Sequence, residues 1–182
     1  MDAEGLIRIC TEKGTKDPVK NFEIMTSDPE VPMHGPIHHV IVPFALLTAL
    51  WNTEQDFDLE AALKDAAERM SPVPGAICGR LGVCGAAIGA GATSCIVNHS
   101  TPLSKGDLWS NNIKLTSEAL GRISDVDGPR CCKRDSVISI MTACDESEKF
   151  FGKKLECSEY RCDRMKDNSA CIGKNCPFCK KN

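Results

Sequence analysis

Aromatic residues are scarce in this chain: two tryptophans, one tyrosine and six phenylalanines among 182 residues. So few flat side chains leave no platform on which nucleic-acid bases could stack. Charge of one sign is missing too. The formal net charge is −3 with acids and bases interspersed, so there is no basic footprint for nucleic acid. Lys174, Lys180 and Lys181 read as a solvated end. The N-terminus, MDAEGLIRICTEKGTKDP, places two acids before any apolar run and has no small-residue cleavage site, which excludes a signal peptide. The longest apolar stretch in the N-terminal half, residues 40–51, is about a dozen residues, short of the roughly 20 a membrane span needs. No internal repeat or low-complexity segment stands out. Together these absences predict a soluble, cytoplasmic protein with neither a membrane nor a nucleic-acid partner.

What the chain has in abundance is cysteine, 12 residues in all. Five of them crowd the C-terminus as Cys157-x4-Cys162-x8-Cys171-x4-Cys176-x2-Cys179. Thiols at that density are disulfides, metal ligands or redox groups. In a reducing compartment thiols stay free for metal, so a metal or iron–sulfur protein ranks ahead of a disulfide scaffold. The 42% of hydrophobic residues suffice for a core without staples. One domain is expected over 1–182: a short extended lead-in over 1–30, a helical body over 31–151 and a Cys-rich tail over 152–182.

Helical patterning dominates the body. Residues 37–51 are continuously apolar, with Leu46, Leu47 and Leu50 at helical spacing, and Pro43 must lie in the first turn or kink the helix. Residues 58–69 carry acids in their first turn and an Ala/Leu face. Residues 84–97 are rich in glycine and alanine, which lets another backbone approach closely. Two further helices are expected over 107–124 and 133–151, separated by the Gly128-Pro129 break, and strand alternation is credible only over 6–10. The fold class is all-α, a compact bundle of about five helices, with a tail too poor in apolar residues to pack without bound metal.

Four segments carry chemistry. His34, His38 and His39 sit together at the mouth of the first apolar helix, where imidazoles can ligate metal or move protons. Cys78 lies in a glycine-punctuated loop and Cys84 near a helix N-terminus, where free N–H groups stabilise a thiolate or the sulfurs of a cluster. Cys131 and Cys132 form a vicinal pair beside Arg130, Lys133 and Arg134, cations expected to depress thiol pKa values and to hold an anionic substrate. The tail cysteines Cys157, Cys162, Cys171, Cys176 and Cys179 match neither a zinc ribbon nor a ferredoxin run, although Cys176 and Cys179 supply one CxxC. Cys95 reads as a small buried hydrophobe.

The strings VPMHGPIHH, PGAICGRLGVCGAAIGAG and GPRCCKR, with the closing Cys-x8-Cys-x4-Cys-Pro, resemble a family of Cys-rich prokaryotic proteins known only as a domain of unknown function. The resemblance runs over about residues 28–178. It implies a setting in anaerobes, relatives fused to methyltransferase-like domains, and longer members with an N-terminal Cys-rich region of which Cys10 would be a remnant. It implies no activity.

Three functions fit these residues. In the first, His34, His38, His39, Cys78, Cys84, Cys131 and Cys132 converge on one open iron–sulfur or metal site, and the protein is an enzyme acting on a small sulfur- or methyl-bearing anion, with Arg130 and Arg134 orienting it. In the second, [4Fe-4S] clusters are fully Cys-ligated and the protein carries electrons to a redox partner protein. In the third, zinc stabilises an interaction or metal-delivery module. The sequence leaves a homodimer open.

Overall fold

The computed structural model describes residues 1–54 and 56–180. Among them are nine α-helices: α1 Ala3–Lys13, α2 Pro18–Ser27, α3 Ile37–Asn52, α4 Leu59–Met70, α5 Ile77–Leu81, α6 Gly85–Val97, α7 Asp107–Ser124, α8 Cys132–Asp145 and α9 Ser147–Phe151. The described residues contain no strand, only an isolated bridge between Cys162 and Cys179. The all-α expectation holds. No helix among the described residues is long and apolar enough to cross a membrane.

Two elements differ from expectation. The N-terminal lead-in is not extended but forms α1 and α2, each opened by an aspartate. Asp2 accepts the Gly5 N–H, and Asp17 accepts those of Val19 and Lys20 ahead of a proline at the first helical position. Leu6 and Cys10, four residues apart, are both buried, so what looked like strand alternation is the inner stripe of a helix. The expected helix over 133–151 is two, α8 and α9, broken at Glu146.

The core is built around α3, which packs against α1, α2, α4, α6 and α8. Eight hydrophobic residues of α3, Ile41, Val42 and Phe44 to Leu50 apart from Thr48, have no exposed surface. A helix apolar on all faces belongs at such a centre. Pro43 lies inside α3 and has no N–H to offer the carbonyl of His39 four residues earlier. Glycines of α6 fit that spot. A Cβ on Gly89 would stand 2.8 Å from the His39 carbonyl and 2.8 Å from the Pro43 ring, and one on Gly91 would overlap Thr116 of α7. The small residues of α6 thus let it lie between α3 and α7.

The tail has more apolar anchorage than its composition suggested. Leu155, Tyr160 and Phe178 are buried, and the Tyr160 ring meets Phe22 and Phe178 edge-on at 5.8 and 5.3 Å. Its backbone is tied to the body at two places: Leu155 N–H donates to Ser147 Oγ at 2.8 Å, and Ser158 N–H donates to Asp17 Oδ2 at 3.1 Å. Asp17 therefore caps α2 with one oxygen and holds the tail with the other. Asp17→Ala should cost about 1–2 kcal/mol, the upper range for a helix cap, and Asp17→Asn clearly less. Urea midpoints of the two variants measure the difference.

Candidate metal centre

The vicinal pair divides the site. Cys131 is the N-cap of α8 and Cys132 its first residue, so their side chains leave the helix start in different directions. Cys131 lines one cavity and Cys132 another. The expectation that both join the histidines in a single site gives way to two cysteine-lined cavities flanking one helix terminus.

The first cavity gathers Cys131, Cys162, Cys171, Cys176 and Cys179, with Tyr160, Met165 and Asn168. Four of these thiols come from the tail and one from the N-cap of α8. The tail is shaped to this purpose by two single 3-10 turns, Met165–Asp167 and Gly173–Asn175, and by the Cys162 N–H bonding the Phe178 carbonyl at 2.8 Å. Donors point at the sulfurs. The Gly173 N–H lies 3.3 Å from Cys171 Sγ and the Asn168 amide 3.8 Å from Cys131 Sγ. Cys179 instead donates to Met165 Sδ at 3.4 Å and to the Lys180 carbonyl at 3.5 Å.

Cys157 stands apart from this group, bonded to Cys144 of α8 in a disulfide. The tail's fifth thiol position is thus taken over by Cys131, which sequence proximity gave no reason to group with the tail. Cys10 is a core thiol, in contact with Met25 between α1 and α2, with burial pushing it up to about 11.

The second cavity brings together Cys78, Cys84 and Cys132 with His38, His39, Arg130 and Asp135. Cys78 is carried by the short α5, and Cys84 is the N-cap of α6. Cys84 makes no capping hydrogen bond, and the nearby backbone amides of Ala86 and Ala87, like that of Gly35 beside Cys132, only partly offset the effect of burial on these thiols.

His34 belongs to neither set of donors but bridges them. Its Nδ1 accepts the Cys132 N–H at 3.5 Å, which leaves the proton on Nε2 to donate to Asn168 Oδ1 at 3.1 Å. Asn168, buried in the tail, then reaches Cys131. Sequence reading missed Asn168 because nothing local marks it; its role comes from a contact 134 residues away. Arg134 is likewise a structural centre: its Nε donates to Asp135 at 3.0 Å and its terminal nitrogens to the Asp127 and Pro129 carbonyls at 3.3 Å. Arg130 alone of the two predicted anion-binding arginines lines the cavity with Cys78 and Cys84.

The expectation of lowered thiol pKa values is reversed. Burial raises Cys131, Cys132 and Cys176 above the ordinary thiol value and takes Cys84 to about 11, outweighing the neighbouring N–H groups and cations. These are protonated thiols at neutral pH, poor nucleophiles by themselves, whereas a metal deprotonates a coordinating thiol outright.

A family model describing a family of unknown function (DUF5714) matches residues 6–179, nearly the whole chain. The chain belongs to this family. All the cysteines and histidines lining both cavities lie within the matched span. No curated protein and no solved structure matches the chain.

Proposed function

We propose that the protein is an iron–sulfur redox protein of anaerobic metabolism, with a [4Fe-4S] cluster seated in the first cavity on Cys131, Cys162, Cys171 and Cys176. The observation that carries the reading is the set of thiols from separate chain segments lining one cavity, two of them, Cys131 and Cys171, receiving N–H donors. Such hydrogen bonds to sulfur are among the means by which proteins set cluster potentials. Among the described residues no group of three His, Cys, Asp or Glu side chains is drawn together to hold a metal ion. The donor set lining the cavity, at least four thiols, matches the four-cysteine set that holds a [4Fe-4S] cluster. Cys179, occupied with Met165, is the spare thiol.

A bound cluster supplies one-electron chemistry. This chain's own residues do the rest: four thiolates hold it, Tyr160 and Phe178 keep water off one side, and Asn168 with His34 fixes Cys131 against the tail. A closed four-thiolate set favours electron transfer to a partner protein. The second cavity adds what a simple carrier does not need, with Arg130 placed to attract a small sulfur- or methyl-bearing anion, and this supports an enzyme.

Strictly anaerobic purification, followed by iron, zinc and acid-labile sulfide analysis with EPR before and after reduction, tests the proposal. Iron with matching sulfide and a reducible signal is expected. Zinc without sulfide would replace it with a metal-stabilised interaction module.

A further inference from the structure

The two histidines of the second cavity are in an unusual condition for buried imidazoles. His38 has no exposed surface, and its Nε2 lies 2.9 Å from the Pro32 carbonyl. A carbonyl only accepts, so Nε2 carries the proton and Nδ1 the lone pair. That Nδ1 is buried with no hydrogen-bond partner. His39, 7% exposed, resembles it: its ring lies near the Val73 carbonyl, and its Nδ1 is also buried and unpartnered. An orphaned buried acceptor costs roughly 1–3 kcal/mol, and here two adjacent residues each carry one beside three thiols.

Histidines that ligate metals are characteristically oriented in this way, with one ring N–H given to a backbone carbonyl and the other nitrogen turned to the metal. The local backbone is built around the rings. Gly85, the first residue of α6, has no Cβ because one would overlap the His39 ring at 2.4 Å. The imidazole therefore lies directly against the N-terminus of the helix that Cys84 opens.

We infer that the second cavity holds an iron–sulfur cluster of its own, ligated by Cys78, Cys84 and Cys132 and, at the fourth corner, by an imidazole Nδ1 of the His38–His39 pair. Three thiolates and one neutral imidazole leave this centre with less negative charge than the all-thiolate one. Replacing thiolate by imidazole raises a cluster's reduction potential, so the second centre is the easier of the two to reduce. An imidazole is also a ligand that an incoming anion, drawn by Arg130, can displace. The inference rests on the iron–sulfur reading of the chain but on different residues, so the two can be tested apart.

The test uses the full chain, purified anaerobically and reconstituted with ferrous iron and sulfide. About eight iron atoms per chain are expected, two [4Fe-4S] complements. Cys78→Ser and Cys132→Ser should each lose about half of the iron, and Cys171→Ser the other half. Pulsed EPR of the reduced, unsubstituted protein should show nitrogen hyperfine coupling from a ligating imidazole, lost when His38 and His39 are both changed to Ala and kept in one of the two single variants. Absence of that coupling in the unsubstituted protein overturns the imidazole ligand without depending on whether any variant folds. Unchanged iron in Cys78→Ser and Cys132→Ser overturns the second cluster while leaving the first in place. Iron lost from Cys78→Ser but fully kept in Cys171→Ser upholds this inference and removes the tail cluster instead. A chain that takes up no iron ends both.

Discussion

Cys176→Ser is expected to strip the cluster from the first cavity and to open residues 162–176 to trypsin, while α3, α6 and α8 remain resistant. Between its apolar anchors the tail is held to the body by a few polar contacts, chiefly those of buried Asn168 with His34 and Cys131 and of Arg164 with the Thr26 carbonyl. Its regular structure is two single 3-10 turns, and Met165, Lys166, Asp167, Gly173, Lys174 and Asn175 of those turns contribute no buried side chain. If metal is bound as proposed, its ligation adds ordering that these contacts do not supply, because binding free energy of that kind is folding free energy. Cleavage after Lys166 and Lys174 should rise by about an order of magnitude or more, in keeping with a local opening whose stability falls towards zero. Leu155, Tyr160 and Phe178 should keep the flanks docked, so the loss is confined. Chelation of the unsubstituted protein should produce the same fragments. Cys179→Ser, which removes a thiol engaged with Met165, should leave both iron and resistance intact. Identical digestion with and without metal would sink the claim that metal orders the tail.

A second large effect is expected from one methyl group. Gly89→Ala places a Cβ against the His39 carbonyl and the Pro43 ring, and neither can yield, one being backbone and the other a ring closed on it. Overpacking of this sort costs about 1–3 kcal/mol. Alanine's better helix propensity returns up to about 1 kcal/mol, so the net change is destabilising. Gly121→Ala in α7 is the matched control, because nothing lies within 4 Å of its Cβ. There only propensity acts, and the substitution should stabilise by about 0.5–1 kcal/mol. Melting temperatures should move in opposite directions, by about 2–4 °C for each kcal/mol in a chain of this size. A Gly89→Ala protein as stable as the unsubstituted one would mean that α3 and α6 are not in contact as described.

How much of this was legible in the sequence follows from where the information lies. The helix at Leu59–Met70 could be read directly, since Asp58 caps it and its apolar face recurs at helical spacing. The tight packing of α6 was legible too, because only glycine and alanine permit it. Over α1 the sequence reads as a strand because Leu6, Ile7, Ile9 and Cys10 are dense enough to satisfy either period. Only the Asp2 cap distinguishes them. The break at Glu146 has no glycine or proline to announce it. The composition of the site resisted sequence reading most, since the grouping of Cys131 with the tail and of Cys132 with Cys78 depends on the exact residue at which α8 begins. Burial decided the thiol chemistry in the same way: the cations beside Cys131 and Cys132 are plain in the sequence, but the desolvation that outweighs them exists only once the chain has folded.

The division of Cys131 and Cys132 between two cavities bears on how current would flow through the molecule. Cα atoms of consecutive residues are about 3.8 Å apart, joined by a single peptide unit. Clusters bound as proposed on these two neighbours would be wired through covalent bonds rather than across a packed interface. That wire cannot be loosened by side-chain motion, domain movement or a change of partner. Its length is set by the chain itself, and an insertion of one residue between the two cysteines would do more to the circuit than many substitutions around it.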